Sequence, residues 1–263
     1  MVDERVNLDL QSAFGASLVG LRPKDEDYIL GKSMNTAAGE VMDIAILLDG
    51  MGGGAAGERA SESAGLAFAD AWMLVGEDMA ANSEVDDRHE AWGLCVQAAN
   101  MVVEQISADE GARSGSTLTA ITLLKTEGGE VKWADIIHVG DTRAYRFRGD
   151  DTSLLSHDHS ITGDMVREGY IELHEVEETH GHNVLTMSLG GPEELIPQVE
   201  EVQVGSGDLI ILCCDGIWGP LHKVDGFWFP ESWSLEELPK GLAVEALARG
   251  SKDNCSAIVW LIQ

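Results

Sequence analysis

The sequence predicts a layered α+β fold, and three observations carry that expectation. Long apolar strand runs of antiparallel type come in groups, with helical stretches gathered after them. Two of those runs, AILLDG and LIILCCDG, are apolar almost throughout and end in Asp-Gly, at Asp49-Gly50 and Asp215-Gly216. The 263 residues contain no internal repeat, low-complexity tract or linker, so one domain spanning residues 1–263 is expected. Sandwich folds of this size often stay undivided.

Strand runs open the chain: FGASLVG, DYILG and MDIAILLD. Two helices should follow. The first runs from Glu58 to about Gly76, after a glycine-rich loop. The second, Asp87 to Ser107, sets Ala91, Leu94, Cys95, Ala98, Val102 and Ile106 at helical spacing, with Asp86 or Asp87 placed to cap it. TLTAITLLK and VKWADIIHVG read as a hairpin closed around Glu127-Gly128-Gly129, and RAYRFR as a further strand. Gly163 to His182 is polar, acidic and contains histidine, which predicts helix and loop. VEEVQV, LIILCC and CSAIVWLI are the later strands, with a helix near Leu235 to Arg249 between the last two. The tryptophan-rich GFWFPESWS, Gly226 to Ser234, is expected to pack the terminal helix onto the sheet, the alternative being a surface patch for a partner.

Composition narrows the function classes. With 46 acidic and 17 basic residues the net charge is -29, which argues against a nucleic-acid footprint and against anionic membranes. Solubility or a salty medium accounts for the excess; attraction of basic substrates is the functional alternative. Cys95, Cys213, Cys214 and Cys255 lack metal-ligand spacing and suggest no disulfide framework, as in a reducing cytoplasm. The opening MVDERVNLDL lacks the order of a secretory signal, and no apolar run approaches the ~18 residues of a membrane span. A cytoplasmic monomer is expected.

The paired Asp-Gly figures plant two carboxylates at the ends of buried strands. A third acid, Asp253, stands in SKDNCSAIVWLI before the closing apolar run. Carboxylates converging at one edge of rigid strands make a site for hard divalent cations, which prefer oxygen ligands. Taken singly, each acid has a plainer reading. Glu26 and Asp27 lie in the charge run PKDED, Asp141 looks like a turn acid, and Asp253-Asn254 looks like a loop. Asp158, in DHS, reads as a structural acid that orients a turn.

The order of motifs along the chain goes further. GLRPKDEDYIL, DGMGGGAAGERAS, GSTLTAI, HVGDTRAYRFR, LLSHDHS, NVLTMSLG, GDLIILCCDGIW and SKDNCSAIV follow one another from Gly20 to Val259. Together they resemble the metal-dependent protein phosphatases, the protein phosphatase 2C or PPM family, in bacterial form. The resemblance implies an α-β-β-α sandwich of two central antiparallel β-sheets flanked by helices, with residues of about 163–182 forming a flap beside the site. It implies Mn²⁺ or Mg²⁺, two ions per site with room for a third. Asp49 bridges the pair, the Gly50 carbonyl binds one ion, and Asp215 and Asp253 bind the other. Glu26 and Asp27 hold metal-bound water, and Asp141 joins Asp215 at the third site. Arg22 clamps phosphate with its guanidinium fork.

Two departures stand out. Gly54 occupies the place where the bacterial pattern usually has His, and Met187 replaces the Arg of LTR. Acid assistance and some substrate contacts are thereby in question, and His138, His159, His180 and His182 are the candidates to compensate. The expected activity is hydrolysis of phosphoserine and phosphothreonine in proteins, by direct attack of a metal-activated water. The alternatives are a catalytically weakened phosphatase-like regulatory or binding protein and a phosphatase of small metabolites.

Overall fold

The computed structural model describes residues 5–52, 56–81, 84–192, 194–223, 226–230 and 232–263. A first sheet contains β1 (Val6–Leu8), β3 (Asp27–Asn35), β4 (Val41–Gly52), β6 (Leu118–Lys125), β7 (Val131–Val139) and β10 (Gln198–Glu201), in that spatial order. The short β5 (Ser114–Ser116) pairs with the end of β4. A second sheet has the order β2 (Ala13–Leu18), β14 (Cys255–Leu261), β11 (Leu209–Cys213), β8 (Arg143–Arg148), β9 (Asp151–Leu154). β12 (His222–Lys223) and β13 (Gly226–Phe227) form a small separate hairpin. Neighbours are antiparallel throughout, except that β1 runs parallel beside β3.

Helices α1 (Ala56–Ala81) and α2 (Val85–Glu110) cover the first sheet, and α4 (Asp215–Leu221) and α5 (Leu238–Ala248) cover the second. The result is the expected α-β-β-α sandwich. Between β9 and β10 lie α3 (Ile161–Arg167) and a 3-10 helix at Leu173–Glu178, as the polar composition there predicted. Among the described residues no helix is long and apolar enough to cross a membrane.

The two-residue period of a strand explains both cores. On β4, Ile44, Ile46 and Leu48 pack toward α1 and α2, together with Trp72 and Trp92. The alternate residues Ala45 and Leu47 face the second sheet and join the core cluster that contains its inward residues Ile210, Leu212 and Ile258. Both faces are covered, so the strand reads as one continuous apolar run. Asp49 continues the inter-sheet register of Ala45 and Leu47, and Asp27 continues that of Ile29. These two acids are paired in register across β3 and β4. The same alternation that builds the core thus delivers both carboxylates to one edge of the inter-sheet layer.

Several boundaries differ from expectation for local reasons. The N-cap of α2 is Glu84, and Asp86 and Asp87 lie inside the first turn, where their charge still favours the helix dipole. α5 begins at Leu238, after the Ser234–Glu237 turn, with Pro239 in its first turn, where a missing N–H costs nothing. Asp215 opens α4 instead of closing β11, with Cys214 at the cap. In the tryptophan-rich segment, the rings of Phe227 and Phe229 pack on Phe147 of β8. Trp228 and Trp233 meet edge to face, and the guanidinium of Arg249, just after α5, lies over Trp228. All four cysteines are buried and free.

Two buried ion pairs brace the sandwich. Arg143 grips Asp158 with its fork, at 3.0 and 2.7 Å, and lies 3.5 Å from the Trp218 ring centre. Asp158 therefore has the structural role expected of it. Arg88 of α2 reaches into the first sheet to Asp135 at 3.1 Å, and Trp92 donates to the same carboxylate at 3.0 Å.

Candidate metal centre

At the edge where Asp27 and Asp49 arrive, one pocket of about 300 Å³ is lined by Arg22, Glu26, Asp49, Gly50, Asp141, Asp215 and Asp253, with Gly52, Thr117, Asn183 and Asn254 among its other walls. The acids come from separate segments. Asp49 is near the end of β4, Asp141 is in the crossing from β7 to β8, Asp215 starts α4, and Asp253 precedes β14. Gly140 makes that crossing possible. Its φ of +106° suits glycine, and a Cβ there would stand 2.6 Å from Thr117 Cγ2.

Backbone contacts hold the pocket rigid. Asp49 N–H donates to Thr117 Oγ1 at 2.9 Å, and Thr117 N–H returns a bond to the Asp49 carbonyl at 2.9 Å. Gly50 N–H donates to the Glu26 carbonyl at 3.0 Å. A side chain at position 50 has no room, since its Cβ would lie 2.5 Å from that carbonyl oxygen and 2.2 Å from the Gly57 carbonyl. Glu26 N–H donates to Asn254 Oδ1 at 2.9 Å, while Asn254 Nδ2 donates to the carbonyls of Val19 and Lys24. Asn254 thereby ties the loop carrying Arg22 and Glu26 to the loop carrying Asp253. Trp218 Nε1–H donates to the Asp141 carbonyl at 2.8 Å and fixes the β7–β8 crossing.

Asp27 does not line the pocket but lies beneath it, fully buried. Neither of its carboxyl oxygens has a hydrogen-bond partner at normal geometry, although the Ser256 hydroxyl and Cys214 thiol are near enough to favour its charge. Asp215 Oδ1 is likewise buried without a partner. Arg22, half-exposed at the mouth, donates to Asp253 Oδ2 at 2.5 Å, and this bond holds its guanidinium above its ordinary pKa.

The electrostatics are those of acids left to one another. Burial pushes Asp49 well above the usual carboxylate range, and Asp27, Asp215, Asp141 and Asp253 push it the same way. Asp27 and Asp141 rise for the same first reason. Burial, then Asp253, takes Asp215 to about 6. Among the described residues no three carboxylate, imidazole or thiol groups already close on a single point as a finished ligand set. Buried carboxyl oxygens without partners, facing a pocket of further acids, suit divalent cations, which take oxygen ligands.

Of the four histidines considered as compensating acids, His138, His159, His180 and His182, none lines this pocket. His138 and His159 stack at 4.9 Å beneath the Gly140–Asp141 crossing, and burial holds both below the ordinary pKa, so they stay neutral. His180 is exposed, and His182 borders an adjoining cavity. Met187 packs against the core under the helices. Gly53 and Gly54 lie outside the described residues. Sequence reasoning gave no role to Thr117, Asn183, Asn254 or Trp218. All four sit inside quoted motifs, GSTLTAI, NVLTMSLG, SKDNCSAIV and GDLIILCCDGIW, so membership of a motif was the available signal.

No protein-family model matches the chain. The protein phosphatase PhpP of Streptococcus pneumoniae is 30% identical over 197 residues, 74% of each chain. The serine/threonine protein phosphatase PstP of Mycobacterium tuberculosis is 31% identical over 269 residues, covering 97% of this chain and 45% of that one. Among solved structures, the PPM Ser-Thr phosphatase MsPP from Mycobacterium smegmatis, in complex with cacodylate, matches with a TM-score of 0.76 and 26% identity, over 97% of this chain and 99% of that one. The catalytic domain of PstP in complex with two manganese ions matches with a TM-score of 0.69 and 25% identity, over 95% and 98%.

Proposed function

The chain belongs to the PPM (protein phosphatase 2C-type) family, and from that premise we propose that it hydrolyses phosphoserine and phosphothreonine in proteins. The observation that carries this reading is the gathering of Arg22, Glu26, Asp49, Asp141, Asp215 and Asp253 around one pocket from distant parts of the chain. Asp49 and the Gly50 carbonyl, with Asp215 and Asp253, would hold two divalent ions, Mn²⁺ or Mg²⁺, and Asp141 beside Asp215 would hold a third. Such ions, when bound, supply a deprotonated water at neutral pH and neutralise charge on the phosphoryl oxygens.

The chain's own residues do the rest. Glu26 from the pocket wall, and Asp27 from beneath it, would orient metal-bound water by accepting its hydrogens. Arg22 presents two donors to the phosphoryl oxygens, and its half-exposed position lets it exchange Asp253 for phosphate with little desolvation. A thiol nucleophile is disfavoured: burial pushes Cys255 up to about 11 and Cys95 up to about 12, and raises Cys213 and Cys214 strongly. With thiols disfavoured, direct attack of water on phosphorus, without a phosphoenzyme, is the route that the family membership supports.

The full set of pocket acids and the phosphatase relatives support catalysis over a weakened, phosphatase-like binding protein. We read residues 1–263 as a single catalytic domain, with residues of about 163–182 as a flap, because both sheets share one core. A cytoplasmic monomer acting on phosphorylated proteins, without nucleic acid or membrane surface, fits the free cysteines and the charge. The test is phosphate release from a phosphothreonine peptide. Turnover should require Mn²⁺ and vanish in excess chelator; full activity in chelator would overturn the reading.

A further inference from the structure

Beside the acid pocket lies a second, larger cavity of about 620 Å³. The two meet at Asn183, Asp215 and Asp253, which border both. Glu177 and His182, from the segment between β9 and β10, form one wall. The turn from α5 to β14, Arg249 through Lys252, forms the other, and the glycine-bearing α4 is the floor. A side chain on that floor would obstruct the wall, since a Cβ at Gly219 would stand 2.6 Å from Glu177 Oε1. A substrate whose phosphoryl group sits among the acids has this cavity as the adjoining space for the rest of its chain.

The charges of the cavity are unequal. Arg249 is already engaged: its Nε–H donates to Glu245 Oε1 at 2.8 Å, and its guanidinium lies 4.2 Å from the Trp228 ring centre. Lys252 is exposed and makes no ion pair among the described residues. It is the chain neighbour of Asp253, which places its ammonium within reach of a residue one or two positions from the phosphorylated one, at ~3.3–3.6 Å per extended residue. Glu177 on the far wall repels an acid there. A protein of net charge -29 otherwise disfavours acidic segments, so a cation beside the reacting centre that no acid of the described residues pairs discriminates among them.

On the phosphatase reading, we propose that this cavity receives the residue flanking the phosphoresidue and that Lys252 selects an acidic side chain there. Phosphothreonine peptides carrying Glu, Ala or Lys on either flank should separate by kcat/KM. Glu should lead Ala by about 5-fold on one flank, the upper range for an exposed charge pair, and the lead should shrink as salt rises. Lys252→Glu should invert the ratio so that the Lys peptide leads. This exposed charge swap is a mild change for the fold, and the ratio within one variant is independent of how much of it is active. Para-nitrophenyl phosphate, which has no flanking residue, separates the two readings. If the wild type cleaves it with Mn²⁺ but treats all peptides alike, or if Lys252→Glu keeps the Glu preference, the cavity assignment is overturned alone. If it cleaves neither ester nor peptide, the phosphatase reading falls and takes the assignment with it.

Discussion

Asp43 and Asp49 stand on the same strand, on the same inter-sheet face, and the fold treats them oppositely. Asp43, at the far end, is met by Lys125 Nζ at 2.6 Å. Asp49, ~20 Å along the strand by its rise per residue, faces Asp27, Asp141, Asp215 and Asp253, with Arg22 the cation at the mouth. The same contrast recurs elsewhere. Asp135 and Asp158 are buried as deeply as the pocket acids, yet each has an arginine on it. Where a carboxylate serves the architecture, the chain supplies the counter-charge. At the pocket edge one arginine, Arg22 on Asp253, stands against five acids, and most of the charge is left for an ion brought from outside. A buried charge without a partner is costly, so this arrangement makes sense only with such an ion.

The strongest way to break the comparison is to exchange Asp49 for Asn. Turnover should fall by at least ~10³-fold, because losing ions that lower the pKa of water removes most of the nucleophile. Calorimetric Mn²⁺ binding should weaken with it, while the chelated protein stays folded. Near-normal kcat together with normal Mn²⁺ stoichiometry would show that Asp49 is one more structural acid. The opposite outcome belongs to Asp158→Ala. It strands the Arg143 guanidinium in the core, and denaturant unfolding should lose about 3–5 kcal/mol. A loss below ~1 kcal/mol would mean that the pair does not brace the sandwich.

A smaller effect is expected from pH. The pocket carboxyls have raised pKa values in the folded chain, so the native state binds protons more readily than the unfolded one. Without metal, their contribution to stability is greatest below the unfolded range near ~3.9 and is lost as pH rises through the Asp215 value of about 6. The melting temperature in chelator should therefore fall between pH 5 and pH 8. Saturating Mn²⁺ should reverse that trend, because ions bind the deprotonated acids. Asp215→Asn should flatten the slope in chelator. A chelated wild type that melts higher at pH 8 than at pH 5 would contradict the unpaired state of the cluster.

Much of this was legible in the chain. The strands around Asp49 and Asp215 announced themselves by apolar runs, the helices by their spacing, and the pocket acids by motif order, because these signals are local or serial. The strands β1, β5 and β9 were not legible; they are short, and their pairing with β3, β4 and β8 defines them. The helix cap at Glu84 was also missed, since Asn82, Ser83, Glu84, Asp86 and Asp87 are all residue types that can stand at a helix start.

What only the tertiary structure decided is which charges are answered. Arg22 meets Asp253 across 231 positions, and Asn254 holds Glu26 across 228. Arg88 finds Asp135 across 47 positions, while Asp27 and one oxygen of Asp215 are left without a hydrogen bond of normal geometry. Sequence carries the type and period of each residue, and so it determined the layers and the acids that reach their edge. Pairing depends on where distant segments cross in three dimensions, and a linear pattern holds no record of those distances.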